Sequence, residues 1–201
     1  MKHFTFILTV ILLMMASMGA KAQDISYEHC VAVDGLAYAL DKTAKTAAVI
    51  AHDCKDDEGN RLCERYKGDV VVPEAITVEG VNYTVTALAE MAFAMSDISS
   101  LKLPSTLKKM DFRAVSFCLN LEKANLPASV EELGQRSFSC CPKLDDFTID
   151  EGNKHFVLES NMLMSADRTR VVHLFGAGDV NKSVSVTVPS TVKTIDEDAF
   201  D

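Results

Sequence analysis

The sequence lacks the motifs of common catalytic sites and the basic cluster of a nucleic-acid-binding site. It has no Trp, and Asp and Glu outnumber Lys and Arg by 29 to 20, which gives a formal net charge of −9. Binding to phosphates needs a concentrated basic patch, and because none is present we expect neither nucleic acids nor anionic membranes as partners. There is no GxSxG, no HExxH, no phosphate loop and no dinucleotide fingerprint, so we expect no catalytic residues, no cofactor and no enzymatic activity.

Long hydrophobic runs are also scarce, and the one that stands out is at the N-terminus. Lys2 precedes an apolar run from Phe4 to Met18, and Ala20-Lys21-Ala22 has the small residues of a cleavage site ahead of Gln23. Residues 1–22 therefore predict a secretory signal peptide, with an apolar run too short to span a membrane. We expect an exported chain without a membrane span after cleavage, either secreted, attached to the cell surface or periplasmic.

What the sequence does contain is a repeat of 23 residues. The step from Pro104 to Pro127 equals the step from Pro127 to Asp150, and the same apolar spacing of i, i+3 and i+5 precedes each of them. The apolar positions are Ile98, Leu101 and Leu103, then Leu121, Ala124 and Leu126, then Leu144, Phe147 and Ile149. Such a period and pattern are typical of a leucine-rich solenoid, because a single repeat can bury its apolar edge only by stacking on the next.

The predicted fold is an α/β-type leucine-rich repeat solenoid over residues 66–201. It consists mostly of short strands in a parallel sheet, with turns and short helical segments between them, and inserted hairpins at about 75–85 and 151–183. A small residue precedes each Phe position and should let adjacent coils approach closely; these residues are Ala92, Ala114, Ser137 and Ala199.

The last stretch of the sequence repeats the apolar pattern once more. Val186 and Val188 precede Pro189, and Val192, Ile195 and Phe200 follow it, so we expect these side chains in the core. The sequence stops at Phe200-Asp201, at the Phe position of a repeat. Since the outer coils of a solenoid need covering, we expect this open end to support self-association or packing on another chain.

Residues 23–65 precede the repeat and should cover its first coil. The segments Val31–Leu40 and Ala47–Ala51 flank the polar stretch Asp41–Lys45. This arrangement predicts two strands joined by a turn, and thus an N-terminal β-hairpin cap.

Several segments carry the resemblance to a known family. They are Tyr66–Pro73, Tyr83–Leu88, Ala92-Phe93, Leu126–Val130, Leu133-Gly134, Ser137-Phe138, Cys141 and Asp150–Phe156. Over about residues 31–201 the chain resembles the BspA-like bacterial leucine-rich repeat proteins, although Val115 stands where Phe is usual and Asp150 where Pro is usual. Members of that family are secreted or surface proteins, and characterised ones bind host matrix proteins or other cells. The resemblance implies a role in adhesion or protein interaction.

Strand positions that point away from the core predict a binding surface. They form two columns, whose candidate ligand-binding residues are Ser100, Lys102, Lys123, Asn125, Asp146 and Thr148. The columns begin at Asp69 and Val71 and should end at Ser185 and Thr187. Solenoids commonly bind through such a face, and the expected ligand is a protein or a glycan. The columns hold no Trp, Tyr or Arg, which are the usual binding hot spots, so a merely solvated face is the alternative.

Six cysteines follow the signal segment, and export favours their oxidation. Cys54 and Cys63 enclose a polar loop, and a disulfide between them would contribute about 2–3 kcal/mol. Cys118 and Cys141 are one period apart, either as buried free thiols or near bridging distance.

A zinc site is the alternative reading of the N-terminal His and Cys residues, and with it a metal-dependent enzyme or a metal-binding protein. The residues concerned are His29, Cys30, His52, Cys54 and Cys63. Their side chains suit zinc, but their spacing matches no zinc motif.

Overall fold

The computed structural model describes residues 30–53, 55, 59–61, 63–176 and 185–200. The predicted signal peptide therefore lies outside the described residues. Those residues form short strands joined by turns, and none of them is in a helix. The short helical segments expected in the repeats are not found there. At the corresponding places each coil contains a residue with φ near +55°, such as Met91, Arg113 and Arg136, and a left-handed residue cannot continue a right-handed helix.

The first part of the chain is an antiparallel meander. Its strands are β1 (Cys30–Val33), β2 (Leu36–Asp41) and β3 (Thr46–Val49). The prediction of a single strand over Val31–Leu40 is wrong, because the chain reverses at Asp34-Gly35. Both residues have positive φ, 48° and 82°, as a two-residue type I′ hairpin turn requires.

A four-stranded parallel sheet carries the repeats. Its strands are β4 (Lys67–Val71), β7 (Asp97–Lys102), β9 (Lys123–Leu126) and β11 (Asp146–Ile149). They lie in the order β11, β9, β7, β4, so each repeat pairs with the one before it. We call each of these strands a rung.

A second sheet continues the meander along the repeats. The hairpin of β5 (Ala75–Val78) and β6 (Val81–Leu88) turns at Glu79-Gly80. Strand β6 pairs in parallel with β3 and with β8 (Lys109–Met110), which pairs in parallel with β10 (Glu132–Leu133). The N-terminal meander is therefore joined to the repeats by backbone hydrogen bonds.

The third sheet follows the last rung. It comprises β12 (Phe156–Glu159), β13 (Met162–Ser165), β14 (Arg170–Leu174) and β15 (Thr194–Ile195). The first three are antiparallel, and β15 pairs in parallel with β14. Residues 185–190 contain no strand, so Ser185 and Thr187 do not extend the parallel sheet as expected.

The apolar skeleton of the repeat forms one core. All nine side chains of the three predicted triplets are buried except Ile149, which is partly buried against the same cluster. The small-residue column is fully buried, and coils approach closely there: the N–H of Phe93 donates to the carbonyl of Ala114 at 2.8 Å, and that of Val115 to Ser137 at 2.9 Å. The predicted close packing of the coils is confirmed at these positions.

The expected burial of the last repeat is wrong in part. Val188, Ile195 and Phe200 are 39%, 49% and 42% exposed. Strand β15 is the edge of its sheet, and none of the described residues covers its outer side.

Candidate binding surface

The strand register places the predicted surface residues side by side. Lys123 is the Cα partner of both Ser100 and Asp146, and Asn125 is the partner of Thr148. On β4, Asp69 pairs with Ser100 and Val71 with Lys102. We call these eight residues on the four rungs the sheet face.

The side chains of the sheet face alternate with buried ones, as a period of two requires. Within β9, Ala124 and Leu126 lie in the core, whereas Lys123 is exposed and Asn125 is half-buried. The outward residues are therefore held at fixed spacing by a core to which they do not themselves contribute.

Charges on the sheet face are partly paired. The Nζ of Lys123 lies 3.2 Å from Oδ2 of Asp146, with both side chains more than half exposed. Hydroxyl groups of Ser100 and Ser99 donate to Oδ1 of Asp69 at 2.7 and 2.9 Å, and these hydrogen bonds lower the pKa of Asp69 below its usual value. Lys102 is exposed and makes no ion pair with any residue in the described ranges.

Asn125 has structural contacts on both sides. Its Oδ1 accepts a hydrogen bond from the N–H of Leu103 at 2.8 Å, and its Nδ2 lies 3.3 Å from both carboxylate oxygens of Asp150. Asn125 on β9 thus connects the residue after β7 to the residue after β11. The sequence pattern predicts its outward position but does not reveal these partners.

All six candidate residues line one open groove of about 660 Å³. Val71, Glu74 and Asp150 line it as well. Val71 is 65% exposed and is the Cα partner of Lys102, so an apolar side chain lies next to an unpaired cation. Such a pairing can receive a ligand that combines an apolar group with an acceptor or an anion.

The proposed zinc ligands of the N-terminal segment do not form a metal site among the described residues, which contain no cluster of three or more His, Cys, Asp or Glu that could hold an ion. His29 and Cys54 lie outside those residues, so a Cys54–Cys63 disulfide stays a prediction. The Sγ of Cys63 lies 3.7 Å from the carbonyl of His52 and 3.7 Å from the hydroxyl of Tyr66.

Tyr66 explains why this region is packed tightly. Its hydroxyl donates to the carbonyl of Ile50 at 2.8 Å and accepts from the N–H of Ala37 at 3.0 Å. Burial raises the pKa of Tyr66 and lowers that of His52, whose ring meets the Tyr66 ring edge-on at 5.7 Å. The arrangement joins the meander to the first rung and resembles a structural contact more than a reactive centre.

The repeat matches a known family. Residues 75–166 match the BspA type leucine-rich repeat region, in six copies. This segment runs from β5 through β13 and includes three of the four rungs. Within residues 75–166 the chain carries BspA-type leucine-rich repeats. The resemblance expected from the sequence is thereby confirmed, and no curated protein matches the chain significantly.

Several solved structures are similar to this chain. A leucine-rich repeat protein from Bacteroides ovatus is 21% identical with a TM-score of 0.52, covering 84% of this chain and 38% of that one. A leucine-rich repeat protein from Bacteroides capillosus is 19% identical with a TM-score of 0.43, covering 60% and 98%. The pneumococcal vaccine antigen PcpA is 18% identical with a TM-score of 0.40, covering 86% and 62%. This chain thus spans 38% of the Bacteroides ovatus protein and 62% of PcpA, and the first of these similarities shows the leucine-rich repeat fold.

Among residues 30–53, 55, 59–61, 63–176 and 185–200, no helix is long and apolar enough to span a bilayer.

Proposed function

We propose that this chain is a non-enzymatic binding protein that holds a protein or glycan ligand against the sheet face. The observation that carries the proposal is the groove of about 660 Å³ that all six candidate residues line. The BspA-type leucine-rich repeats within residues 75–166 support a role in protein binding, since stacked repeats present extended surfaces of this kind.

Some groove residues stabilise the fold, whereas others are exposed and available to a ligand. Asn125 is occupied by Leu103 and Asp150, but Lys102 and Thr148 are exposed and support no element of the fold. A ligand that contacts them displaces only water. Exposed ion pairs such as Lys123 and Asp146 contribute about 0–1 kcal/mol to stability, so they too can be redirected to a ligand at little cost.

The proposed architecture follows from the same register. The coils stack as a solenoid over residues 66–201, with inserted hairpins at about 75–85 and 151–183. The meander of residues 23–65 is its cap; Tyr38 and Val49 pack in the same cluster as Val85 and Phe93 of the repeats. Residues 1–22 direct export, and the mature protein is secreted, periplasmic or on the cell surface, where host matrix or other cells can supply the ligand.

The exposed apolar side chains near β15 support an additional contact with another chain. Val188, Ile195 and Phe200 are each more than a third exposed. We expect self-association or packing on another protein there. Light scattering that shows a monomer at high protein concentration would remove this part of the proposal.

The experiment that tests the sheet face uses an array of purified extracellular-matrix proteins and glycans. The variants are Lys102→Ser and the double change Lys123→Ser with Asp146→Ser. The matched control is Lys108→Ser with Glu131→Ser, because these side chains form a similarly exposed ion pair at the same 3.2 Å distance, next to β8 and β10 of a different sheet.

We expect a ligand that binds the wild-type chain and the control but loses at least tenfold in affinity for both sheet-face variants. Binding that survives unchanged in Lys102→Ser and in the double variant would place the site elsewhere. A zinc enzyme hidden in residues 23–65 would instead retain stoichiometric zinc through purification and lose activity with a chelator.

A further inference from the structure

A second surface lies on the turns that lead from β6 and β8 to the next rungs. It is apolar where a solvated surface would be polar. Met95, Phe112, Phe117 and Leu119 are 53%, 36%, 38% and 60% exposed. Phe112 and Phe117 flank Arg113, and we call Met95, Phe112, Arg113, Phe117 and Leu119 the turn patch. The N–H of Met95 donates to the carbonyl of Ser116 at 3.0 Å, which places Met95 beside Phe117 on adjacent coils.

Arg113 is held between two aromatic rings without a carboxylate. Its Cζ lies 5.1 Å from the ring centre of Phe112 and 5.7 Å from that of Phe117, and its Nε is buried with no hydrogen-bond partner among the described residues. No acidic side chain in that part of the chain lies within 4.0 Å of its guanidinium. A planar guanidinium stacked on rings keeps its N–H edge available for a carboxylate.

A second arginine of the chain shows which groups pair with an arginine at this position of the repeat. Arg136 lies at the same place in the next repeat and has the same left-handed backbone, with φ of 60° against 53° for Arg113. Its guanidinium contacts the carboxylates of Glu197 and Asp198, the latter at 2.8 Å from Nε. The two acidic residues are followed by Ala199 and Phe200, so the segment that forms ion pairs with Arg136 combines carboxylates with apolar side chains.

We propose that the turn patch binds a segment of a partner protein that carries a carboxylate next to apolar side chains. The carboxylate pairs with the guanidinium of Arg113, and the apolar side chains pack on Met95, Phe117 and Leu119. Aromatic residues, Met and Arg are the residue types enriched at protein interfaces, which is the opposite of the composition of the sheet face. This site is independent of the sheet face.

The test is an NMR titration of the full chain with a blocked pentapeptide, Leu-Glu-Asp-Phe-Leu, and with its neutral isostere, Leu-Gln-Asn-Phe-Leu. The variants are Arg113→Gln, which removes the charge, and Phe117→Asn, which removes a ring. Asn tolerates the φ of +57° at position 117, so the second variant should fold even if the first is destabilised. Lys102→Gln removes the same charge from the sheet face and is the matched control.

We expect saturable shifts of the backbone amides of Met95, Phe117 and Leu119 with the acidic peptide. Both patch variants and the neutral peptide should weaken binding at least tenfold, and Lys102→Gln by less than twofold. Equal binding of the two peptides, equal loss in Lys102→Gln, or no saturable shift would overturn the proposal. Shifts at these amides that depend on protein concentration without peptide would assign the patch to a second copy instead, and so would also overturn it.

Discussion

At the scale of single residues, two cysteines show how the repeat uses a buried polar atom. The Sγ atoms of Cys118 and Cys141 each lie 3.0 Å from a backbone carbonyl of the preceding coil, that of Phe93 and that of Val115. Both are buried free thiols, which is one of the two alternatives that the sequence left open. The hydrogen bond with Cys118, followed by burial, raises the pKa of Cys141 far above its usual value.

This raised pKa predicts a loss of stability at alkaline pH. The unfolded thiol ionises above about pH 8.5, whereas the folded Cys141 stays protonated, so the unfolded state binds fewer protons and becomes favoured as pH rises. The raised pKa values of Tyr38 and Tyr66, caused mainly by burial, add to this effect above about pH 10.

The midpoint of unfolding by guanidinium chloride, measured under reducing conditions, should therefore be nearly constant from pH 7 to 8 and fall above about pH 8.5. The variant Cys141→Ser should show a smaller fall between pH 8.5 and 10, because Ser does not ionise there. A midpoint that is independent of pH up to pH 10.5 would contradict the protonated, buried state of these groups.

Asn125 offers a second prediction at this scale. Asn125→Ala removes the acceptor of the Leu103 N–H and should lower the free energy of unfolding by about 1–3 kcal/mol, the cost of a buried donor left without a partner. Its Cα partner Thr148 is exposed, so Thr148→Ala should change stability by less than about 0.5 kcal/mol. Equal effects of the two changes in urea unfolding would show that Asn125 is only a surface residue.

At the scale of elements, two coils approach each other closely at Gly134. Its N–H donates to the carbonyl of Met110 at 2.7 Å, and a Cβ there would lie 2.5 Å from the backbone carbon of Asp111 and the nitrogen of Phe112. No side chain can move aside to relieve this clash, because both atoms belong to the backbone of the preceding coil.

Gly134→Ala should therefore destabilise the chain by about 1–3 kcal/mol through overpacking, and should shift the backbone amides of Asp111 and Phe112. Gly80→Ala is the control: open space surrounds Gly80, but its φ of +77° makes Ala unfavourable for the local backbone alone. Its effects should stay at the β5–β6 turn. Unshifted amides at Asp111 and Phe112 in Gly134→Ala would mean that the coils are further apart there.

The rungs could be predicted from the sequence because three repeats have the same spacing of apolar residues. Leu101, Ala124 and Phe147 are each followed two residues later by another apolar residue at the same step, and the outward positions follow from alternation. The apolar pattern does not predict the β1–β2 hairpin, because the residues on both sides of its turn, Asp34-Gly35, form one apolar run. The Asp-Gly dipeptide was the available signal.

Long-range pairing explains the other failures. The strand expected around Ser185 and Thr187 is not formed because the last repeat pairs through β15 with β14, inside the insertion, and not with β11. At the candidate site, alternation predicts which residues point outward but not that Asn125 bonds to Asp150. It also cannot distinguish Met95 and Phe117, which lie in apolar stretches but are exposed, from core residues.

At the scale of the whole molecule, the fold presents two chemically different surfaces on one core. The sheet face is polar, with Lys102 beside Val71, whereas the turn patch is apolar and aromatic around Arg113. The same repeats can hold both because no residue of either surface belongs to the main hydrophobic cluster.

Export is a prediction at this same scale. We expect the protein expressed with its first 22 residues in a Gram-negative host to be recovered outside the cytoplasm with Gln23 as its first residue, as N-terminal sequencing would show. Ala22→Asp should block cleavage, because the site requires a small residue there. Recovery of the intact precursor in the cytoplasm would contradict export.

The register of the rungs is the claim on which both surfaces depend, and NOE contacts between backbone protons measure it most directly. We expect contacts from Lys123 to Ser100 and to Asp146, and from Asn125 to Thr148, since these are Cα partners in the parallel sheet. A register shifted by one residue, with Lys123 opposite Leu101 or Phe147, would turn the polar columns toward the core and contradict the account.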